Sequence, residues 1–461
     1  MQEFDLVVIG GGSAGLKAAR TASRMGHTVA VAEERELGGE CFWAGCVPTK
    51  AMVRAAQVWE AVKHAAEFGI HIDITRADFA EAMAYKDRAV HLVEGDGPAD
   101  GGLKKAGIGY YHTRASFESP HEIRVGEEVI YGKQIIIATG TVPAVPPIPG
   151  LAEAGFITNR EAVNLTSLPK RIVILGAGPI GLEFAQIFRR FGSEVTVLAK
   201  DAHILPREDK DICKLAAQYL HNEGIRLMTE VWVEQIDRSG AGGAKRLKVV
   251  CSAGPELIEC DEILIAIGRA AAVEGMNLAA AGLESGIKAL PVDKYLRTSV
   301  SHIWAAGDIA GGPLFTHVAS YEGKLVAMNA FGDELKPFDH RVIPRCTYID
   351  PEVASVGITE EEAHTHHLPI VTRSFPFEHL DRAIIYGNPQ GIVKLISDAN
   401  TDELLGAHLI GHEASSLLAE LVVVMQHRLP VSAISDAMHA YPSFPEAVES
   451  AALSSPKRTS A

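Results

Sequence analysis

No segment of this 461-residue chain approaches the roughly 18 uninterrupted apolar residues that a membrane-spanning helix needs. The longest apolar stretch, Leu417 to Met425, is short and carries Glu420, so no membrane span is expected. Cysteine is scarce, six residues in all, which excludes the dense disulfide scaffold of a small secreted domain. Cys213, Cys251, Cys260 and Cys346 are scattered and read as packing or solvent-exposed thiols; no cysteine follows Cys346. Positive charge is in deficit: 43 Lys and Arg against 58 Asp and Glu leave a net charge of −15, which argues against nucleic acid or an anionic membrane as partner. The first apolar strand begins at Phe4 or Asp5 and leaves no room for a secretory or transit segment, so the protein is expected to stay in the cytoplasm. What remains is an ordinary globular composition, 47% hydrophobic, long enough for about three domains.

The other two cysteines lie close together, in Gly38-Gly39-Glu40-Cys41-Phe42-Trp43-Ala44-Gly45-Cys46-Val47-Pro48-Thr49-Lys50. On an ideal helix a C-x4-C pair is separated by a rise of roughly 7.5 Å, beyond the Cα separation of about 4.4 to 6.8 Å that a disulfide tolerates. A redox disulfide here therefore requires a distortion. Gly45 and Pro48 supply it, glycine through its backbone freedom and proline through its place in a first helical turn. Cys46 should then sit near a helix N-terminus, where the dipole favours a thiolate. Spacing alone leaves open two unrelated thiols or half of a metal site, but zinc would need two further ligands, and none is nearby; no metal ligands are assigned.

On either side of this pair the chain reads as nucleotide-binding. Asp5-Leu-Val-Val-Ile is followed by Gly10-x-Gly12-x-x-Gly15, an Ala-rich helix through Arg24, and Thr28-Val-Ala-Val-Ala-Glu33. Strand, glycine turn, helix, strand is a βαβ unit whose glycines admit a pyrophosphate to a helix N-terminus, with an acid about 20 residues on for a ribose hydroxyl. Glu33 is that acid, with Glu34 adjacent. A second unit opens at Arg171, with Gly176-x-Gly178-x-x-Gly181, a helix carrying Glu183 and ending near Phe191, and a strand through Lys200. Two nucleotide sites imply electron transfer between two cofactors.

Between the units, a helical stretch runs from about Pro48 to Lys105, short strands follow around 108 to 138, and a Pro-rich run, Val142 to Pro149, marks a linker. Further apolar strands close on Ala138-Thr139-Gly140, on Gly268-Arg269 and on Gly307-Asp308. In an open α/β sheet a strand's carboxyl end is where a ligand contact belongs. From about Phe338 the pattern changes to short strands with helices at Glu413 to Arg428 and Pro445 to Leu453, a separate α+β domain.

Taken in order, these motifs resemble the class I pyridine nucleotide-disulfide oxidoreductases, the flavoprotein group containing lipoamide dehydrogenase, glutathione reductase and mercuric reductase. The resemblance covers essentially the whole chain. It implies an α/β fold with two Rossmann-like domains, for FAD (residues 1–147 and 269–337) and NAD(P) (148–268), plus an α+β dimerisation domain (338–461). It also implies that Gly10, Gly12, Gly15, Glu33, Glu34, Gly39, Thr139, Gly140, Gly307 and Asp308 bind FAD, that Gly176, Gly178, Gly181, Lys200 and Gly268 serve NAD(P), that Cys46 faces the flavin, and that Cys41 is the interchange thiol. Lys50 would lie beside the flavin, paired with Glu183. The implied chemistry is hydride transfer from nicotinamide to FAD, electrons passing to the Cys41–Cys46 disulfide and then to a small disulfide or lipoyl-type acceptor, or the reverse, in a homodimer whose terminal segment acts on the partner's cysteines.

The sequence departs from that family in three places. Lipoamide dehydrogenase and glutathione reductase carry a histidine directly before the proline of the terminal motif, held by a later glutamate. Here the segment is His439-Ala440-Tyr441-Pro442-Ser443-Phe444-Pro445-Glu446. A phenol of pKa about 10 is a poor base at neutral pH, where imidazole titrates near about 6.5. By the resemblance Tyr441 stands in the catalytic position, His439, two residues back, is its candidate substitute, and Glu446 matches the family glutamate without its usual partner. Phe42 and Trp43 are bulky for residues between the cysteines: they narrow the approach to the disulfide, stack on a flat acceptor, or fill core. Finally, Gly181 resembles NADH enzymes, but Ala199 replaces their acid and Lys200, His203 and Arg207 follow, so the balance favours NADPH. The leading expectation is a dihydrolipoamide-dehydrogenase-like NAD(P)H:disulfide oxidoreductase with an altered acid–base site. The alternatives are a mercuric-reductase-like reductase of metal ions or quinones, although no terminal cysteine pair is present to deliver an ion, and a flavin-loaded redox sensor.

Overall fold

The structure is a computed structural model and describes residues 1–73, 76–95, 97, 100–240, 243–284 and 288–458. The chain divides into two units, one of Met1–Thr49, Ala84–Ala144 and Gly268–Asp339, the other of Lys50–Met83, Val145–Ile267 and His340–Ala461.

In the first unit the strand Gln2–Ile9 is buried along its second half on both faces and pairs in parallel with Val29–Glu33 on one side and Glu128–Ile137 on the other. Gly109–His112 extends the sheet at one edge. Ile303–Ala305 returns to pair in parallel with Glu128–Ile137. Continuous Val/Ile runs suit strands covered by helices on both faces. The helix Ser13–Arg24 buries Ala14, Gly15, Ala18, Ala19 and Ala22, a stripe of small side chains that lets another helix come to backbone distance. That partner is Thr316–Phe331. A Cβ on its Gly323 would overlap the carbonyl oxygen of Ala14.

The second unit repeats the motif in a four-stranded parallel sheet in the order Arg226–Met228, Glu194–Leu198, Arg171–Leu175, Glu262–Ile265. A three-stranded antiparallel sheet (Trp232–Arg238, Lys245–Cys251, Gly254–Cys260) accompanies it. The two glycine turns are built alike. Gly10 and Gly176 take φ values of 109° and 114°, and Cβ atoms there would overlap the carbonyls of Ala138 and Ala266. Cβ atoms on Gly15 and Gly181 would likewise overlap the carbonyls of Gly10 and Gly176.

The C-terminal part of this unit is a six-stranded antiparallel sheet, with Glu352–Gly357 and Leu404–Gly411 covered by the helix Ala414–Gln426. The expected α+β pattern is present. One difference from the sequence reading concerns the stretch from about Pro48 to Lys105, which is several elements rather than one: helix Cys46–Lys63, a short turn Ala65–Phe68, and helix Phe79–Glu94. Gly69, in the left-handed conformation (φ 75°), ends the first part. That conformation stops a helix at little cost only in glycine.

The close helix crossing yields a test. Gly323→Ala is expected to force the helices Ser13–Arg24 and Thr316–Phe331 apart and to destabilise the protein by about 1–3 kcal/mol, read as a fall in melting temperature and in retained FAD; an unchanged melt would show that the crossing adjusts freely.

Candidate active site

The thiol pair sits across a break between two helices. Gly39–Trp43 forms a short helix entered through Gly38 (φ 104°) and left at Ala44 (φ −138°), and a new helix begins at Cys46. Cys46 is thus a first-turn residue, as expected. Gly45 contributes differently from the sequence reading: its backbone is not left-handed, but a Cβ there would lie 3.0 Å from the Glu40 carbonyl oxygen and 3.1 Å from the Cys41 Cα. Glycine lets the two cysteine-bearing segments close on each other. Cys41 is half-buried and Cys46 exposed. A hydrogen bond between the two sulfur-bearing side chains, followed by burial, pushes the Cys41 thiol well above the ordinary thiol range. The Cys46 sulfur lies 3.4 Å from Thr316 Oγ1, at the start of the helix Thr316–Phe331, so the first residues of two helices meet at this sulfur, on the positive side of both helix dipoles. Trp43 donates its indole N–H to the Leu37 carbonyl (2.9 Å) and packs edge-on against Phe42, so Trp43 is engaged in holding this loop.

Around the first glycine turn, the helix Ser13–Arg24 begins at Gly12 with no side-chain cap. A Cβ on Gly39 would lie 2.9 Å from the Gly12 Cα, so the cysteine loop meets the turn backbone to backbone. The carboxylate reaching the turn is that of Glu33, which accepts from Gly11 N (2.6 Å) and Arg35 N (2.8 Å). Glu34 is ion-paired to Arg114 (2.7 Å). An uncapped helix N-terminus, glycines leaving a cradle that Cβ atoms would fill, and a carboxylate at its edge fit the diphosphate and ribose of FAD.

Beside it runs a polar chain of which the sequence reading assigned only Asp308. Arg269 donates to Thr141 Oγ1 (2.7 Å) and to its carbonyl (2.9 Å) and pairs with Glu40 (3.4 Å); Thr141 Oγ1 donates to Asp308 Oδ2 (3.0 Å). Burial raises the Asp308 carboxyl above its ordinary range. Gly307 N–H donates to Glu322 Oε2 (2.7 Å). Glu322 is 3% exposed, and burial, with the nearby Asp308 charge adding to it, pushes its carboxyl up to about 7. Thr139 contacts the Met276 sulfur at 3.9 Å and Gly140 is left-handed (φ 67°). A signal for Glu322 existed: it is the one acid in the helix sequence THVASYEGKLVAMNAF.

In the second unit Lys50 Nζ lies 2.7 Å from Glu183 Oε2, whose side chain is 5% exposed. Glu183 Oε1 accepts from Tyr348 N (2.9 Å), and Lys50 also lies over the Tyr348 ring at 4.7 Å. Gly178 is the uncapped N-cap of Pro179–Phe191, which fits a second diphosphate. Lys200 stacks on Trp232 at 4.3 Å, while His203 and Arg207 are exposed. Gly268, which belongs to the first unit, is open around its α-carbon (φ 135°).

The terminal segment separates its candidates. His439 has a side chain only 7% exposed, with Nε2 3.2 Å from Glu420 and Nδ1 3.8 Å from Glu449. Tyr441 is 72% exposed and donates to Asp381 Oδ2 at 2.9 Å. Glu446 accepts from Ser443 N (2.7 Å). Among the described residues no cluster of three or more His, Cys, Asp or Glu side chains could hold a metal, and no helix is long and apolar enough to cross a membrane.

Residues 4–323 match the family "pyridine nucleotide-disulphide oxidoreductase", and residues 343–452 match its dimerisation domain. The chain belongs to this family and is an FAD-dependent pyridine nucleotide-disulphide oxidoreductase. It is similar to a dihydrolipoyl dehydrogenase of Chlamydia trachomatis (35% identical, covering 98% of this chain and 97% of that protein) and to a mercuric reductase of Staphylococcus aureus (32%, covering 99% and 83%). Among solved structures, the HOCl-induced flavoprotein disulfide reductase RclA from Escherichia coli superposes with a TM-score of 0.87 (30% identity, covering 97% of this chain and 99% of that one). Its Cu(II) complex superposes at 0.86, with 30% identity and coverage of 98% and 99%.

Glu322 supplies a pH test. Its folded pKa, about 7, lies above the ordinary carboxyl value, so its contribution to stability is full below about pH 4.5 and is lost as pH rises to 7, in total on the order of 3 kcal/mol. Glu322→Gln is expected to flatten the decline in melting temperature between pH 5 and pH 8; an equal decline in the variant would assign the effect to other groups.

Proposed function

We propose that the protein is an NAD(P)H:disulfide oxidoreductase of the dihydrolipoamide-dehydrogenase type in which Tyr441 takes the place of the usual histidine. The observation that carries this reading is the Cys41–Cys46 contact across a helix break, since two thiols held together on a glycine-built loop can form and open a disulfide without moving the fold. FAD, when bound, accepts two electrons from a nicotinamide hydride and delivers them to that disulfide. The residues proposed to hold it are Gly10, Gly12, Gly15, Glu33, Gly39, Thr139, Gly140, Gly307 and Asp308. Cys46, beside Thr316, is the flavin-side sulfur, and Cys41 is the interchange thiol.

In the acceptor half-reaction Cys41, whose thiol proton is lost as the Cys46 contact opens, attacks an acceptor disulfide through its sulfur. The acceptor S–S bond breaks, a mixed disulfide to Cys41 forms, and the first thiolate leaves and takes a proton. Cys46 then attacks Cys41, restoring the intramolecular disulfide and releasing the second thiolate. Lys50 is balanced by the buried Glu183, because a lone ammonium in such a site would be costly. Lys200, without a carboxylate at Ala199, supports NADPH over NADH. The reading takes the enzyme as a cytoplasmic homodimer, completed through the family's dimerisation domain.

A second reading, reduction of a metal ion or quinone, draws on Tyr441 itself, since mercuric reductase also lacks the histidine, and on the similarity to a mercuric reductase and to a protein solved with Cu(II).

Anaerobic reduction by NADPH or NADH followed by addition of lipoamide, Cu(II) or a quinone separates the readings. Fast flow to lipoamide, abolished in Cys41→Ser while flavin reduction by NADPH persists, is expected; full disulfide reductase activity in Cys41→Ser would rule out the assignment. Lys200→Ala is expected to raise KM for NADPH about tenfold or more with little change for NADH, and equal effects on both would remove the NADPH preference.

A further inference from the structure

Tyr441 leaves a chemical gap that the surrounding residues address. A phenol alone is a poor proton acceptor near neutral pH, and the family glutamate, Glu446, is engaged elsewhere, accepting from the Ser443 backbone N–H at 2.7 Å. His439 is buried against Glu420 at 3.2 Å. The group that meets the phenol is Asp381, whose Oδ2 accepts the Tyr441 hydroxyl at 2.9 Å. Asp381 opens the short helix Asp381–Ile385. Its neighbours Leu380 and Ala383 are buried in the same core as Phe444, Ala447 and Val448 of the terminal segment, so the two partners are fixed relative to each other by packing rather than by the hydrogen bond alone.

We propose that Asp381 is a positioning residue for Tyr441 and the terminal proton acceptor of a relay, so that the phenol can act as a base toward a substrate thiol. With its hydrogen turned to the carboxylate, the phenol oxygen presents its lone pairs outward. A dithiol S–H placed there hands its proton to the phenol oxygen as the phenol passes its own to Asp381. The sulfur keeps the electron pair of the broken S–H bond, an O–H bond forms on Asp381, and no atom changes oxidation state. In the reducing direction the same path returns a proton to the departing thiolate. The proposal rests on the reading of Tyr441 as the residue that handles substrate protons.

The charged groups whose fields reach the phenol are Asp381, first through its hydrogen bond, and Glu446; both hold Tyr441 in its protonated form above the ordinary phenol range. That raised value suits a relay, in which the phenol never stands as a free phenolate.

The test uses the FAD-loaded enzyme with dihydrolipoamide and NADP⁺, and lipoamide and NADPH, from pH 5 to pH 10. Asp381→Asn is expected to lower kcat about 100-fold at pH 7 and to shift activity toward alkaline pH, where the substrate thiol ionises unaided. Asp381→Glu should restore most of the rate. Tyr441→Phe should match Asp381→Asn, with the double variant no slower. A wild-type rate and pH profile in Asp381→Asn beside a slow Tyr441→Phe would overturn the relay and leave the role of Tyr441 standing. Wild-type turnover in both would overturn that role and the relay with it. Independently of turnover, the alkaline absorbance change missing in Tyr441→Phe identifies the Tyr441 phenol; it should titrate at lower pH in Asp381→Asn than in the wild type, and an identical titration would also overturn the proposal.

Discussion

Two sulfurs separated by four residues have to touch, and a regular helix cannot bring them together. The rise of about 1.5 Å per residue carries them past disulfide distance, so the backbone must stop being a helix between them and become one again at once. Each unusual residue of the loop serves that need. Gly38 lets the chain enter the first short helix, Gly45 lets the Glu40–Cys41 segment lie against the restart, and Gly39 brings the loop to backbone distance of Gly12. The last contact ties the loop that carries Cys41 and Cys46 to the glycine turn that fits a diphosphate.

Charge is handled in a second way within each unit. Arg269 and Asp308 meet through Thr141, with Glu40 also paired to the guanidinium, whereas Glu322 accepts from the Gly307 backbone N–H and is held toward neutrality by burial. A chain of this kind orders the end of the strand Ile303–Ala305 and the turn after it. In the other unit Lys50 and Glu183 balance each other with the Tyr348 backbone N–H filling the second carboxylate oxygen. Removing one partner of such a pair leaves a desolvated charge behind, which costs more than the pair contributes.

Much of this was legible in the sequence because the signals are local. A glycine turn between an apolar strand and an Ala-rich helix spans a few residues, and both such turns formed where the spacing put them, with matching φ values at Gly10 and Gly176. The α+β pattern after Phe338 was legible for the same reason. The reason for Gly45 was not: the sequence reading assigned it backbone freedom, whereas the close approach of Glu40 and Cys41 is what leaves little room for a side chain. Thr141, Arg269 and Glu322 were also missed. Arg269 meets Thr141 only through the pairing of Arg269–Ala271 with Thr141–Pro143, 128 residues apart, and Asp308 reaches Thr141 only when Ile303–Ala305 returns to the sheet.

The terminal segment shows the same limit in sharper form. Reading it by motif puts Tyr441 where the resembled family has a histidine, offers His439 as a substitute because it is near in sequence, and leaves Glu446 as a family glutamate without its usual partner. Neither is the phenol's partner. That partner, Asp381, is 60 residues away, at the start of a short helix that reaches Tyr441 because Phe377, Leu380 and Ala383 share a core with Phe444 and Val448. A departure from a motif is read along the chain, but the group that meets the side chain found there is chosen by packing. For that reason the chemistry of an altered acid–base site is better sought on the facing element than along the motif.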